Sequence, residues 1–401
     1  MADRARAHLV LAAVAGAATV YGAQGISPAL PALQHAIGFG DSALGLFTAA
    51  YMLPGVVLAI PLGYLADALG RRKVFVSMAL LYGGAGAAQA LATNFNLLLG
   101  LRVLQGVGFA SLMPLSVTLI ADTYLGMDQL KGQAWRQVSM TGGEFVFPLV
   151  GAALAAWSWR APLAAQGLLI PVAFAGLFVL DDKRSKSVGS GKYGNELVEA
   201  VRLPGMPAVL GAGFLRFWCK FALVAYLPFM LVHSQGATLG EAALALSIAS
   251  GVAACVNFLV VRALRRVSPS RMLIAAVLLV GGSLVLFAVV PSWQLALVVA
   301  VVYGLGDGTL MVLQNAFVSV AAPEGVRGGL LAVSGMIRNA GKLVAPLAVG
   351  GLILAVSPAA AFALMGVSTV ALVPMLRPLR LLDGLLRPEK ADPLAPAVEA
   401  A

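Results

Sequence analysis

The chain has 401 residues, of which 60% are hydrophobic and only 11% charged, with a mean hydropathy of +0.92 and a formal net charge of +10. Soluble domains carry about 25% charged residues, so this composition excludes a water-soluble globular fold and implies a polytopic membrane protein. The apolar runs lack the two-residue alternation of an outer-membrane barrel, and the positive charge, once placed along the chain, does not point to nucleic acid.

A hydrocarbon core about 30 Å thick takes about 20 apolar residues per helix, and helices are the only open-chain way to satisfy the backbone in lipid. Twelve such spans are expected, at 8–30, 43–66, 73–92, 96–121, 138–156, 161–180, 207–232, 241–262, 271–290, 293–319, 329–355 and 359–376. The first follows Arg4 and Arg6 as a signal peptide would, but it runs on for about 20 residues with many spans after it, and it reads as a retained helix. With both termini and the even-to-odd loops on one side, Arg160 alone among the lysines and arginines falls on the other. Arg102, Arg216, Lys220, Arg338 and Lys342 lie within spans. Such asymmetry places the basic side in the cytoplasm. It also accounts for the net charge without nucleic acid. Abundant Ala, Gly, Leu and Val with little Lys suits a GC-rich bacterial genome, so the expected location is a bacterial cytoplasmic (inner) membrane.

The stretch 181–206 is the longest polar interval inside the chain and reads as a cytoplasmic linker, with 196–202 as a short amphipathic helix on the inner surface. It divides a six-helix half at 1–180 from another at 207–378, and a polar, Pro-rich tail follows at 379–401. The halves echo each other. Gln105-Gly-Val-Gly-Phe-Ala-Ser-Leu-Met113 in the fourth span aligns with Tyr303-Gly-Leu-Gly-Asp-Gly-Thr-Leu-Met311 in the tenth, at a shift of 198 residues. The same shift sets Pro148 on Pro346 and Glu144 on Lys342. The expected fold is an all-α membrane protein, with twelve transmembrane helices in two pseudo-symmetric six-helix bundles around a central cavity.

Three segments carry a family resemblance. Between the second and third spans lies Gly63-Tyr-Leu-Ala-Asp67-Ala-Leu-Gly70-Arg71-Arg72-Lys73. It resembles the signature between helices 2 and 3 of the major facilitator superfamily at Gly63, Leu65, Asp67, Gly70, Arg71 and Arg72, with Ala68 where a basic residue is usual. Leu98-x-x-x-Arg102-x-x-Gln105-Gly106-x-Gly108 resembles a second signature, on helix 4. The fifth span carries Gly142-Gly143-Glu144-Phe-Val-Phe147-Pro148-Leu-Val-Gly151-Ala152. It resembles the signature typical of the family's antiporters, except that Phe147 and Ala152 replace glycines. The resemblance points to the twelve-helix drug:proton antiporter group. It implies that Asp67 faces the N-terminus of the eleventh helix, near Gly328 and Gly329, when the inner side is closed. It implies too that Arg71 pairs with Asp122, so that Gly63, Asp67, Gly70, Arg71 and Asp122 form a conformational switch. Arg102 is tied by the resemblance to the proton-coupled step; read as a residue, it either acts on a neighbouring carboxylate or is held by backbone carbonyls.

Ionisable groups inside spans are candidates for function. Glu144 and Asp307 are the carboxylates that can carry a proton, since burial and a nearby cation shift a carboxyl in opposite directions. The alternative is a pair of permanent salt bridges, Asp307 with Arg338 and Glu144 with a cation opposite. Arg216 and Lys220 are four residues apart and share a helix face, as do Arg338 and Lys342. These four, with Tyr21, Gln24, Tyr226 and Tyr303, are expected to line the substrate cavity. The expected function is a secondary active transporter that exports small organic molecules in exchange for protons by alternating access. The excess of in-span cations favours an alternative, proton-linked transport of an organic anion or anionic lipid. No nucleophile–base spacing, phosphate loop or metal-ligand cluster points to an enzyme, a cofactor or a metal. The expected partners are a small-molecule substrate, protons and the lipid bilayer, with the protein a monomer.

Overall fold

The structure is a computed structural model that describes residues 2–58, 61–62, 65–66, 69–124, 126–180, 198–264, 266–321 and 327–383. The described residues are almost entirely helical. In chain order the membrane-crossing elements are α1 (Ala5–Ile37), α2 (Ala43–Val57), α3 (Arg71–Ala88), α4 (Phe95–Thr123), α5 (Gly126–Trp157), α6 (Ala161–Val179), α7 (Met206–Gln235), α8 (Leu239–Ala263), α9 (Pro269–Val289), α10 (Trp293–Ala321), α11 (Arg327–Ile353) and α12 (Pro358–Ala371). The exceptions to length and hydropathy are α2, with 15 residues, and α11, which carries Arg327, Arg338 and Lys342; α12 reaches spanning length through its continuation to Leu381.

Local chemistry sets several ends. Gly70 has φ +96°, a left-handed value open to glycine, and it turns the chain into α3. Asn94 caps α4, and Thr238 with Glu241 forms a reciprocal capping box on α8. The first helix is not continuous. Its α-helical part ends at Val20, a π-helical turn runs from Tyr21 to Gly25, and a 3-10 turn from Ser27 to Ala29 leads into Leu30–Ile37. Gly22, Gly25 and Pro28 are poor helix formers, and Pro28 has no N–H to give. The span therefore reaches residue 37, beyond the 30 expected. The fifth helix starts at Gly126, twelve residues before the expected 138, because its polar first turns continue the helix past the apolar run. Residues 379–383, read above as the start of the tail, belong to the packed chain: a 3-10 segment spans Val373–Leu382, and the Asp383 carboxylate accepts from the Ser270 N–H and hydroxyl, both at 2.7 Å.

The internal repeat is visible in the packing. Gly106 of α4 lies against α2 at Tyr51 and Pro54, and Gly108 against α3 at Met78 and Tyr82. At the same shift, Gly304 of α10 lies against α8 at Ala249 and Val252, and Gly306 against α9 at Ala276 and Val280. Between the halves, α2 packs on α11 and α5 on α8, the pairs that a two-fold axis would relate. Hydrogen bonds that join the halves include the Ser27 hydroxyl to the Val224 carbonyl and Tyr226 to the Ser42 carbonyl at 3.3 Å. Both lie toward the face of the bundle opposite the Arg71 end. On that side α2 and α11 touch closely, and a Cβ on Gly45 would collide with the Pro346 carbonyl.

Candidate functional site

The centre of the molecule holds a chain of four charges drawn from three helices. On α7, Arg216 and Lys220 stand one turn apart and both face α10. Asp307 of α10 accepts from Arg216 Nε at 2.6 Å and from Nη2 at 3.1 Å, a two-point fork. Lys220 Nζ lies 3.5 Å from the second Asp307 oxygen and 2.7 Å from Glu144 Oε2 on α5. The chain thus reads Arg216, Asp307, Lys220, Glu144, with two charges of each sign. Its side chains at Arg216, Asp307 and Lys220 are 3–6% exposed, whereas that of Glu144 is 24% exposed. Breaking such a buried pair by removing one partner is far more costly than the pair's own worth. Its outermost link, Lys220–Glu144, crosses from one half to the other. The Asp307–Arg338 pairing, weighed above as a permanent bridge, is not formed. Arg216 takes both Asp307 oxygens, and Arg338 instead donates to Asn315 Oδ1 at 3.0 Å.

Beside this chain is a small cavity of about 10 Å³, whose walls include Gln24, Lys220, Ser250, Tyr303 and Asp307. That is close to the room one water molecule needs. The buried Tyr303 hydroxyl has no hydrogen-bond partner among the described residues. Of the residues expected in the central cavity, Gln24, Lys220 and Tyr303 therefore meet there. Tyr21 and Tyr226 do not. Tyr21 donates to the Pro162 carbonyl at 3.0 Å and packs edge-on against Phe147. Tyr226 lies at the seam with Ser42. Lys342 stands among aromatic rings, its Nζ 4.8 Å from the Phe217 centroid and 5.9 Å from those of Phe109 and Phe221. These rings are absent from the expected site, although Phe214, Phe217 and Phe221 recur at helical spacing on one face of α7.

Arg102 is buried at 2% exposure and has no carboxylate partner among the described residues. It donates to the Gly22 carbonyl at 2.7 Å and to Gln105 Oε1 at 2.8 Å, and its guanidinium lies over the rings of Phe47 and Tyr51 at 4.4 and 4.5 Å. Gln105 bonds in turn to Gln89 and Gln166. Of the two arrangements open in the sequence, this is the one with a backbone carbonyl, and the carbonyl belongs to the π-helical turn of α1.

The sequence profile of the Major Facilitator Superfamily matches residues 12–341 and, in a second alignment, 209–399. The chain belongs to the Major Facilitator Superfamily. That superfamily consists of transporters, not enzymes. The chain is similar to the bacillibactin exporter of Bacillus subtilis, 30% identical over 142 residues, which are 34% of this chain and 35% of the relative. It is similar to the cephamycin export protein CmcT of Amycolatopsis lactamdurans, 30% identical over 264 residues, 65% of this chain and 50% of the relative. It is also similar to the quinolone resistance protein NorA of Staphylococcus aureus, 29% identical over 178 residues, 44% and 46% of the two chains. The chain thus spans 35–50% of the length of these curated relatives.

Among solved structures, it resembles a bacterial homologue of the human lysosomal transporter Spinster in an inward-facing, unoccupied conformation, with a TM-score of 0.73 at 16% identity over 95% of this chain and 96% of the other. It resembles a D-xylose–proton symporter with a TM-score of 0.71 at 16% identity over 92% and 96%. At these identities the likeness is one of fold.

Within this Major Facilitator Superfamily transporter, the three signature segments have different fates. Of the switch segment, Gly63 and Asp67 lie outside the described residues, as do residues 181–197 of the linker and 384–401 of the tail. Gly70 opens α3, and Arg71 forms an ion pair with Asp122 at the end of α4 while donating to the Thr118 carbonyl at 3.1 Å. The helix-4 signature holds Arg102 and Gln105 as described above. The antiporter-like signature brings α5 against the break in α1: a Cβ on Gly151 would collide with the Gly25 carbonyl. Glu144 projects from the same signature two turns away.

Proposed function

We propose that this superfamily member is a secondary active transporter that exports small organic molecules in exchange for protons, working by alternating access in a bacterial cytoplasmic membrane with its basic face inward. The observation that carries the reading is the Lys220–Glu144 ion pair at 2.7 Å, because it joins the halves through a titratable group. A proton on Glu144 cancels the charge that holds Lys220. Lys220 keeps Asp307 at 3.5 Å, so releasing the tie strands no buried ammonium. Proton uptake at Glu144 thereby loosens one half from the other, and proton loss draws them together. Asp307, forked by Arg216, holds Arg216 and Lys220 in place. The export direction is supported by the names of the bacillibactin exporter and the cephamycin export protein. The asymmetric placement of lysine and arginine supports the orientation.

The test is substrate-driven proton movement in proteoliposomes with an imposed pH gradient and an internal pH dye. A panel of lipophilic cations, neutral compounds and organic anions is added to the wild type and to Glu144→Gln. Proton flux that a compound stimulates in the wild type, and that Glu144→Gln abolishes, is the expected result. Flux that persists in the variant removes Glu144 as the carrier, and no stimulated flux with any compound removes the antiport reading.

A further inference from the structure

Two cations of the central region, Lys342 and Arg338, form no ion pair among the described residues. Glu144 is engaged by Lys220, and Asp307 by Arg216 and Lys220. Lys342 forms no ion pair and no hydrogen bond among the described residues: Glu144, the carboxylate within its electrostatic reach, is taken by Lys220, and its ammonium lies among the rings of Phe217, Phe109 and Phe221. Arg338, one turn earlier on the same face of α11, bonds among the described residues to the neutral Asn315 alone. Both side chains are partly accessible, so the pair is open to a ligand. Ring faces compensate an ammonium only in part, and a cation withdrawn from water without a counter-charge is unfavourable. An anion supplied from outside the chain completes the arrangement. A guanidinium four residues from an ammonium offers a planar fork and a point charge to one carboxylate. Phe217, the partly exposed ring of the three, adds a flat apolar wall against which an aromatic body can stack or meet edge-on, while the buried Phe109 and Phe221 lie behind it around Lys342.

We propose that Lys342 and Arg338 bind the carboxylate of a small aromatic acid whose ring lies against Phe217, and that such acids are the class of molecule this protein carries. The proposal rests on the transport reading above and narrows it. The experiment is equilibrium binding by calorimetry on the full chain in nanodiscs of zwitterionic lipid. The probes are matched in shape and differ in charge: 2-naphthoate, its methyl ester and 2-naphthylmethylammonium. The expected result is that naphthoate binds at least about tenfold more tightly than the other two, the discrimination given by a charge-assisted contact. Lys342→Gln is expected to lose about that factor for naphthoate while leaving the ester unchanged, and Lys342→Arg to retain most of it. Unchanged ester binding also shows that Lys342→Gln is folded.

Equal binding of the three probes overturns the proposal, as does naphthoate affinity unaffected in Lys342→Gln, or the absence of naphthoate binding. Loss of naphthoate binding when phosphatidylglycerol is added to the nanodiscs assigns the pair to a lipid headgroup and also overturns it. Because the measurement needs no proton gradient, it separates this proposal from the transport reading. Naphthoate binding without stimulated proton flux removes antiport and keeps the site. Stimulated flux by cations with no naphthoate binding does the reverse.

Discussion

Two arginines, Arg102 and Arg216, are buried in the two halves and are held by opposite chemistry. Arg102 is fixed by the Gly22 carbonyl, Gln105 and two ring faces, all uncharged. Arg216 is fixed by both oxygens of Asp307, and through Asp307 and Lys220 it is connected to Glu144 in the other half. A neutral cradle keeps its geometry whatever the local proton occupancy. The chain that starts at Arg216 ends on the half-buried carboxylate of Glu144, where a proton would change the tie to Lys220. Arg102 thus pins the broken helix α1 against α4, and on the proposed mechanism proton sensitivity belongs to the seam between the halves.

The comparison breaks most sharply on removal of Asp307. Asp307→Ala leaves Arg216 buried without its counter-charge, and the expected loss is about 3–5 kcal/mol, the range for breaking a buried ion pair. The melting temperature of the purified protein in detergent reports it. The double variant Arg216→Met with Asp307→Leu removes both charges and is expected to recover most of the loss, because the burial penalty disappears with the charge. If the double variant is no more stable than Asp307→Ala, the fork is not the source of the effect.

Arg102→Met tests the other side. It removes two hydrogen bonds and two cation–π contacts but strands no carboxylate, so the expected loss is about 2–3 kcal/mol. It should be smaller than for Asp307→Ala. Arg102→Lys is expected to fall between Arg102→Met and the wild type, since an ammonium reaches the Gly22 carbonyl without spanning both acceptors. A loss in Arg102→Met as large as in Asp307→Ala would erase the distinction between the two cradles.

Part of this contrast was legible in the sequence and part was not. Span count and the superfamily follow from hydropathy and from segments contiguous in the chain, such as Leu98 to Gly108. The internal repeat follows from a constant shift, and Gly106 and Gly304 then fill equivalent packing positions on α2 and α8. The in-span charges were also visible, because an ionisable residue stands out in an apolar run. Their pairing was not. Asp307 had four in-span cations within its own half to choose from, and only the rotation of α7 and α11 decides that Arg216 and not Arg338 receives it. The break in α1 was hidden because Tyr21 to Ala29 remains apolar enough to read as a continuous span. That break carries Tyr21 to the Pro162 carbonyl and away from the cavity. The aromatic surroundings of Lys342 draw on α4 as well as α7, a long-range meeting that no local spacing encodes.

Glu144→Gln gives a smaller effect on stability and a decisive one on coupling. Glu144 is the most accessible member of the central chain, and Lys220 retains Asp307 in the variant. The expected destabilisation is about 1 kcal/mol, the size of one weakened hydrogen bond. Exchange of labelled substrate across the membrane is expected to continue, because exchange requires no net proton movement, whereas uphill transport driven by a pH gradient is lost. Loss of both activities together would mark Glu144 as part of substrate binding and not of coupling.

The smallest effect belongs to the Arg71–Asp122 pair, at the basic end of the bundle. Its side chains are 12% and 31% exposed, so solvent screens the attraction well beyond what the central chain experiences. Arg71 also donates to the Thr118 carbonyl at 3.1 Å, a bond that survives loss of the Asp122 charge. A double-mutant cycle with Arg71→Gln and Asp122→Asn is therefore expected to give a coupling energy of at most about 1 kcal/mol, shrinking as ionic strength rises. The same cycle across Arg216 and Asp307 should be several-fold larger and nearly insensitive to salt, since ions do not reach a buried pair. Equal salt sensitivity at the two sites would mean that the central chain is open to water, and the contrast between a sealed core and a screened periphery would fail.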